Sequence, residues 1–197
     1  MTETSVLKRF MDLVIAITAL ICLAPFLVCT ALMILITMGR PIFFTHQRSG
    51  RNKVPFFLFK FRTMHQPRQT QETDAERITP FGLFLRKYSI DELPQLLNVI
   101  FGQMSLVGPR PLLREYDDLF TEVQNQRFLV KPGITGLAQV SGRNDISWED
   151  KLNWDVTYVK TRTIWLDFII LVKTIFVVFS AVGFKPSGES SKFGAEE

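Results

Sequence analysis

Hydrophobic residues concentrate in one long segment near the N-terminus. From Leu13 to Met38 no residue is charged, and this run exceeds the roughly 20 residues that a helix needs to cross a bilayer. Pro25 stands at its middle, directly after Ala24. A proline inside a helix removes one backbone hydrogen bond and clashes with the preceding turn, so it favours a kink. The pattern therefore predicts a membrane helix that is broken near its centre.

Basic residues flank this apolar segment on both sides. Those before it are Lys8 and Arg9, and those after it include Arg40, Arg48, Arg51, Lys53, Lys60 and Arg62. Lys and Arg favour the cytoplasmic side of a membrane helix, which leaves two arrangements open. A re-entrant hairpin keeps both ends on the cytoplasmic face, whereas a straight span leaves two basic residues outside. A cleaved signal peptide is disfavoured, because its hydrophobic region spans only about 7–15 residues.

Shorter patterns predict a mixed α+β domain, mostly helical, after the membrane helix. Residues 41–64 indicate a β-hairpin with its turn at 49–52. Along the second strand Phe57, Phe59 and Phe61 share one face, while Lys60 and Arg62 lie on the other. These two cations fit either a solvated edge strand or a rigid site for an anionic ligand.

The remaining pattern predicts four helices and one further strand. The helices are expected from Thr79–Pro80 to about Lys87, after a Ser89–Glu92 capping box, over 112–128 and after the N-cap Ser147, and the strand is expected after Gly136. The starts at Thr79, Ser89 and Ser147 rest on a local signal, namely a side chain that can accept a hydrogen bond from the first turn.

The C-terminal part contains a second apolar segment. Residues 164–184 are hydrophobic but contain Asp167 and Lys173, which favours a helix lying at the membrane interface over a second span. The chain is therefore expected to divide into three parts. These are a membrane helix (1–40), a domain with the hairpin and interfacial amphipathic helices (41–184) and a polar tail (185–197).

The composition restricts the functional classes. Hydrophobic residues make up 47% and charged residues 21% of the 197 residues, which excludes a disordered chain. The formal net charge of +4 is too small to indicate nucleic acid by itself, but it suits contact with anionic lipid or phosphate. Both cysteines, Cys22 and Cys29, lie within the apolar segment. A disulfide framework and a Cys-rich zinc site are therefore excluded.

Two adjacent carboxylates, Asp91 and Glu92, are the first candidates for chemistry. Acidic residues are common in the first turn of a helix because the helix dipole favours them, so the pair has an ordinary structural explanation. The same setting keeps a carboxylate ionised, as nucleophilic attack requires. An adjacent carboxylate can also help to hold Mg²⁺, which typically takes one or two carboxylates together with substrate phosphates.

Two further charged residues are unusually placed. Arg110 lies between two prolines, which restrict its backbone and suit either a phosphate-binding guanidinium or a rigid turn. Asp155 shares a helical stripe with Leu152 and Val156. A buried acid requires a partner, which can be a Lys or Arg, a metal ion or a substrate cation.

Four segments of the chain resemble those of one enzyme family. They are FKFRTM (59–64), LRKYSIDELPQLLNVIFGQMSLVGPRP (85–111), KPGITGLAQVSGRN (131–144) and WDVTYVK (154–160). In this order they resemble the bacterial sugar transferase family, in particular its small monotopic phosphoglycosyl transferases. The resemblance extends from Lys8 to about Val182. It implies a re-entrant N-terminal helix, although the family usually has Ser-Pro where this chain has Ala24-Pro25.

The resemblance implies an activity and the residues that perform it. Such enzymes transfer a phosphosugar from a UDP-sugar to a polyprenyl phosphate and release UMP, at the cytoplasmic face of the bacterial inner membrane, with Mg²⁺ and without nucleic acid. Asp91 would attack the β-phosphorus and form a phosphosugar-aspartyl intermediate, and Glu92 would assist and hold Mg²⁺. The residues that would bind substrate or complete the site are Lys60, Arg62, Arg86, Arg110, Gln139, Arg143 and Asp155.

Two rival hypotheses stand beside this interpretation. A hydrolase on the same scaffold would pass the aspartyl intermediate to water. A non-enzymatic adaptor would use the basic strand to bind anionic lipid at the membrane. The sequence does not identify the sugar, and UDP-glucose, UDP-galactose, UDP-N-acetylgalactosamine and an N-acetylated, modified amino sugar are all compatible with it.

Overall fold

The computed structural model describes residues 3–67, 73–142, 145–181 and 184. The candidate Arg143 and the predicted tail at 185–197 lie outside the described residues. The helices are α1 (Glu3–Met38), α2 (Asp74–Arg77), α3 (Pro80–Lys87), α4 (Gln95–Ile100), α5 (Leu137–Val140), α6 (Trp148–Thr161) and α7 (Ile164–Ser180). The strands are β1 (Phe43–Ser49), β2 (Pro55–Phe61), β3 (Ser105–Val107) and β4 (Gly133–Thr135). The predicted α+β, mostly helical class is confirmed.

The long helix α1 contacts the rest of the molecule on both sides of Pro25. In its first half, Lys8 Nζ lies 2.6 Å from Asp167 Oδ2, and the Asp12 carboxylate accepts a hydrogen bond from Ser105 Oγ at 2.7 Å. In its second half, Ile34 is fully buried against a cluster from the hairpin and α3. Within the described residues, Val6–Met38 is the one helix long and apolar enough to cross a membrane.

Two side chains bind carbonyl groups at helix C-termini and join α1 to the domain. Arg9 donates to the carbonyls of Val99 and Ile100 at the end of α4, at 2.7 and 3.0 Å. Arg62 donates to the carbonyls of Met38, Gly39 and Arg40 at the end of α1, at 2.6, 2.6 and 3.1 Å. The last carbonyls of a helix have no partner inside the helix, so a guanidinium stabilises them well.

The predicted hairpin is confirmed and its buried face carries Lys60. Strands β1 and β2 pair antiparallel from Phe43 opposite Phe61 to Ser49 opposite Pro55. Phe56 and Leu58 are buried, whereas Phe57 is exposed. Lys60 follows Leu58 by two residues and so shares the buried face. The solvated-edge interpretation of this strand is therefore wrong.

Strands β3 and β4 bring two glycine-containing loops together. They pair in parallel, and Gly108 N donates to Thr135 O at 2.9 Å while Gly133 N donates to Pro109 O at 2.9 Å. A Cβ atom on Gly133 would lie 2.1 Å from Gly108 N, which no side chain could accommodate. This close approach holds the backbone of the segment that carries Arg110.

The main core lies between α1, the hairpin, α4, β3, α6 and α7. Its buried residues are Ala16, Phe56, Leu58, Leu96, Val99, Met104, Leu106, Val107, Tyr158 and Ile170. A second cluster packs Leu152 of α6 against Tyr116, Phe120 and Phe128. The predicted helix starts at α3 and α6 are confirmed, since Thr79 Oγ1 accepts from Gly82 N at 2.9 Å and Ser147 Oγ accepts from Asp150 N at 3.0 Å.

Three local predictions are wrong. The segment after Gly136 is the short helix α5, because Val140 N bonds back to Gly136 O at 3.2 Å. Residues 112–128 do not form one helix but contain two 3₁₀ segments, Arg114–Tyr116 and Gln124–Leu129. Asn125 Nδ2 donates to the carbonyls of Phe120 and Thr121 at 3.1 and 3.0 Å. Such side-chain bonds compete with the backbone bonds of an α-helix.

The third wrong prediction is the capping box at Ser89–Glu92. Ser89 has a φ of +53° and makes no side-chain cap bond, and the Glu92 carboxylate binds cations from other segments. Residues Ile90–Glu92 instead form one 3₁₀ turn before α4 begins at Gln95. The left-handed turn at Ser89 redirects the chain between α3 and α4, and it places Asp91 and Glu92 beside the hairpin.

Candidate active site

Asp91 and Glu92 lie at the wall of a cleft of about 970 Å³. The cleft is lined by side chains of the hairpin, α3, residues 108–111 (the GPRP segment), α5, α6 and α7. Its basic residues are Arg48, Lys60, Arg62, Arg77, Arg86, Arg110, Arg127 and Lys151, and its acidic residues are Asp91, Glu92 and Asp155. Cations outnumber carboxylates, so the cleft suits an anionic ligand.

Glu92 joins two of the predicted cations. Its Oε1 accepts from Lys60 Nζ at 2.7 Å and from Arg110 Nη2 at 2.7 Å. Burial opposes the charged form of Glu92, but the two neighbouring cations outweigh it and hold its pKa well below the usual range. Glu92 is therefore ionised at neutral pH, and it holds Lys60 of β2 and Arg110 of the GPRP segment at one point of the cleft.

Asp91 is the less neutralised carboxylate of the pair. The residue is buried, with 7% of its surface exposed, and its nearest ion-pair contact is Lys60 Nζ at 4.0 Å from Oδ2. Burial raises the pKa of Asp91 to about 6, while Lys60 and, more weakly, Arg86 lower it. Asp91 is thus ionised at neutral pH, poorly solvated and not saturated by cations, which are the properties of a carboxylate nucleophile.

Arg86 and Asp155 are held by different partners. Arg86, on α3, donates from Nε to Thr63 Oγ1 at 2.9 Å, which steadies its guanidinium in the cleft wall. Asp155, on α6, binds Arg127, with Oδ2 accepting from Nη2 at 2.8 Å and from Nε at 3.1 Å. The partner that a buried Asp155 requires is therefore an arginine.

Arg127 is a site residue that the sequence reasoning missed. Its side chain is 2% exposed, stacks near the rings of Phe120 and Phe128, and donates from Nη2 to the Arg110 carbonyl at 2.6 Å. The Asp155–Arg127 pair therefore holds the backbone of Arg110. The sequence signal was weak, because Arg127 follows the polar run Gln124–Gln126 and its partner Asp155 lies 28 residues further along the chain.

The other predicted substrate-binding residues occupy different positions. Gln139 lines the cleft, and both its amide oxygen and its amide nitrogen are buried without a hydrogen-bond partner. Buried amide groups are rarely left unsatisfied, so the Gln139 amide is available to a ligand in the cleft. The Arg62 guanidinium, in contrast, binds the carbonyls at the end of α1, so the structure gives it a structural task next to the cleft.

The carboxylates fit a divalent cation only with help from a substrate. No group of three or more His, Cys, Asp or Glu side chains that could hold a metal occurs among the described residues. Among the described residues, Glu92 Oε2 makes one long contact, 3.4 Å from Arg110 Nη1, and Asp91 is adjacent. One or two carboxylates completed by substrate phosphates are the usual ligands of Mg²⁺, and Glu92 is the carboxylate that would supply the protein's share.

Comparison with known sequences agrees with this geometry. The sequence profile of bacterial sugar transferases matches residues 3–181. The uncharacterized sugar transferase EpsL of Bacillus subtilis (strain 168) is 48% identical over 181 residues, which cover 90% of this chain and 90% of EpsL. The undecaprenyl-phosphate galactose phosphotransferase of Salmonella typhimurium is 39% identical over 198 residues, covering 90% of this chain and 41% of that protein.

A third relative has a similar extent of match. The UDP-glucose:undecaprenyl-phosphate glucose-1-phosphate transferase of Xanthomonas campestris pv. campestris is 38% identical over 183 residues, covering 86% of this chain and 38% of that protein. The chain thus spans most of EpsL but about two-fifths of the two longer transferases. Since the profile covers α1, the hairpin and nearly all the residues that line the cleft, the chain belongs to the bacterial sugar transferase family.

Proposed function

We propose that this protein transfers a phosphosugar from a UDP-sugar to a polyprenyl phosphate and releases UMP. The observation that carries the proposal is Asp91, a buried and incompletely neutralised carboxylate in a cleft lined by cations. The names of two relatives, an undecaprenyl-phosphate galactose phosphotransferase and a UDP-glucose:undecaprenyl-phosphate glucose-1-phosphate transferase, support the same substrates.

The proposed first step is attack of an Asp91 carboxylate oxygen on the β-phosphorus of the UDP-sugar. A bond forms between that oxygen and phosphorus, the bond from phosphorus to the bridging oxygen breaks, and UMP leaves with the bridging oxygen. In the second step an oxygen of the polyprenyl phosphate attacks the same phosphorus and releases the Asp91 carboxylate. Each displacement spreads negative charge over phosphate oxygens, which fixed cations stabilise.

The neighbouring residues have separate tasks in this scheme. Lys60 and Arg110, held in place by Glu92, face the transferred phosphate, and Arg86 approaches Asp91 from α3. Gln139 offers an unpaired amide to the bound substrate. Glu92 would help to hold Mg²⁺ together with substrate phosphates. When bound, the ion would neutralise charge on the phosphate oxygens.

The position of the apolar surfaces supports a monotopic, re-entrant arrangement at the cytoplasmic face of the inner membrane. Both halves of α1 pack on the same domain, while Ile21 and Phe26 near Pro25 are exposed. Helix α7 also exposes large aromatic side chains, namely Trp165, Phe168, Phe176 and Phe179. We therefore infer that the middle of α1 enters the bilayer, and that α7 lies at its interface.

UMP release from a panel of UDP-sugars tests the proposal. The full chain in detergent or nanodiscs is mixed with Mg²⁺ and UDP-glucose, UDP-galactose or UDP-N-acetylgalactosamine, with and without undecaprenyl phosphate. We expect sustained UMP release only with the lipid phosphate and formation of a lipid-linked diphosphosugar. Sustained release without the lipid would indicate the hydrolase, and no release with any UDP-sugar would favour the lipid-binding adaptor.

A further inference from the structure

Arg48 is a cationic residue of the cleft. Neither the sequence motifs nor the ion pairs of the site assign a role to Arg48. It lies on β1 and lines the same cleft as Asp91. None of the ion pairs found among the described residues includes it. Its Nε–H group is buried and has no hydrogen-bond partner.

The backbone around Arg48 is held from both sides. Within the hairpin Arg48 stands opposite Phe56, and on its other side it forms an isolated bridge with Leu113. The next residue, Ser49, donates through its hydroxyl to Asp117 Oδ2. Arg48 is therefore presented by a rigid element, as a preorganised binding group requires.

The bridge to Leu113 also brings Arg48 close to Arg110, because Arg110 precedes Leu113 by three residues in the chain. Burial and, less strongly, Arg110 lower the pKa of Arg48 to about 10, and Glu92 and Glu115 offset only part of this effect. Two guanidinium groups thus converge on one region, where Glu92 already binds Arg110. A buried charge without a partner is costly, so a ligand that carries negative charge would relieve the cost.

We propose that Arg48 binds phosphate oxygens of a substrate in this cleft, next to the phosphate held by Arg110. The fork of a guanidinium matches phosphate oxygens with two parallel hydrogen bonds. The donor diphosphate and the phosphate of the polyprenyl acceptor share this chemistry. The assignment rests on the proposed phosphosugar transfer.

The two half-reactions distinguish these two phosphates. Arg48→Gln removes the charge, Arg48→Lys keeps the charge without the fork, and Arg114→Gln is the matched control. Arg114 is an exposed arginine bound to Gln47 of the same strand, outside the cleft. The probe is the UDP-sugar that gives the fastest wild-type release. UMP is measured as a single burst without acceptor, and as turnover with undecaprenyl phosphate.

We expect Arg48→Gln to lower one of these rates by roughly ten- to hundredfold, the usual effect of losing a hydrogen bond to a charged group. A smaller burst assigns Arg48 to the donor diphosphate. A normal burst with slow turnover assigns it to the acceptor phosphate. Arg48→Lys should fall between Arg48→Gln and wild type, and Arg114→Gln should stay within about twofold of wild type. If both rates of Arg48→Gln stay within that range, the proposal is overturned.

Thermal unfolding distinguishes phosphate binding by Arg48 from a purely structural role. It also tests Arg48 when the proposed transfer itself is not observed. Without ligand, Arg48→Gln should unfold at the same temperature as wild type or higher, because an unpaired buried charge is removed. If Arg48 binds the donor diphosphate, UDP should raise the wild-type unfolding temperature and have little effect on Arg48→Gln. If it binds the acceptor phosphate, undecaprenyl phosphate should show this difference instead. These comparisons hold even if no UDP-sugar is turned over. A lower ligand-free unfolding temperature with unchanged effects of both ligands would make Arg48 structural and overturn the proposal.

Discussion

Asp91 shows how a reactive residue can oppose stability. Burial raises its pKa to about 6 from an ordinary value of 3.8, so the folded state binds the proton more tightly than the unfolded state does. Above about pH 6 the folded protein must hold an ionised carboxylate in a poorly solvating site. The associated cost is on the order of 1–3 kcal/mol.

We therefore predict that Asp91→Asn abolishes UMP release and raises the unfolding temperature by several degrees at pH 7.5. The gain should shrink as pH falls through 6 and vanish below about 4, where Asp91 is neutral in both states. Calorimetry of the wild type and Asp91→Asn, in EDTA and without UDP-sugar, measures this gain in unfolding temperature. Active Asp91→Asn, or an equal gain at all pH values, would contradict the assignment.

The same pKa predicts the pH dependence of the first step. The UMP burst of the wild type should decline as pH falls through about 6, because a protonated Asp91 cannot attack phosphorus. The burst is used because the acceptor's phosphate monoester itself titrates near pH 6. Lys60→Met should move the decline to higher pH, since Lys60 favours the ionised form. An unshifted profile in Lys60→Met would separate Lys60 from the titration of Asp91.

At the scale of elements, α6 supports the site through a buried ion pair. Arg127 and Asp155 are 2% and 5% exposed, and Arg127 also holds the Arg110 carbonyl. Asp155→Leu alone leaves a buried arginine unpaired, which should cost about 3–5 kcal/mol. The double variant Asp155→Leu with Arg127→Met removes both charges, and should recover most of that stability.

We predict that this double variant remains at least about tenfold slower in UMP release, because the Arg110 backbone has lost its donor. Calorimetry and the UMP assay on the single and double variants measure the two effects separately. Wild-type activity in a stable double variant would show that the pair serves stability alone.

The sequence predicted those elements whose signals are local. The hairpin follows from alternation and turn residues, and α3 and α6 start at side chains that accept from the first turn. The error at the capping box arose because distant groups decide the backbone, since Glu92 binds Lys60 and Arg110 and not the start of a helix. The error at 112–128 arose from a side chain nearby, since Asn125 binds the carbonyls of its own segment.

The candidate site, like the fold, was predictable only where its signals are local in the sequence. Asp155 was recognised as needing a partner, because a charge on an apolar stripe is visible in the sequence. Its partner Arg127 was not, since the contact depends on how the 3₁₀ segments fold under α6. Arg48 was counted only as a basic flank of the membrane helix. Arg48 lines the cleft because β1 forms a bridge with Leu113. No short-range pattern in the sequence reveals that contact.

At the scale of the whole molecule, the two halves of α1 determine the topology. If the middle of α1 enters the membrane and returns, residues before Lys8 and after Arg40 share the cytoplasmic side. We predict that single cysteines at Thr4 and at the exposed Arg51, in a background without Cys22 and Cys29, resist an impermeant thiol reagent in intact cells. Both should react after lysis.

Pro25→Ala tests what holds this topology. We expect it to leave the labelling unchanged, since Lys8, Arg9 and Asp12 bind the domain through side chains that the proline does not affect. Labelling of Thr4→Cys in intact cells would mean a straight span. If that labelling appears only with Pro25→Ala, the proline itself maintains the turn.

The burial of α1 residues in the domain has a consequence for how the protein is made. Ala16 belongs to the main core, and Ile34 packs with Phe61 and Leu85 in a third cluster. The anchor is therefore part of the fold and not a tether. A truncated chain that starts after it would expose these surfaces to water and aggregate. If α1 enters the bilayer as proposed, the newly synthesised chain is expected to complete its fold at the membrane and not in solution.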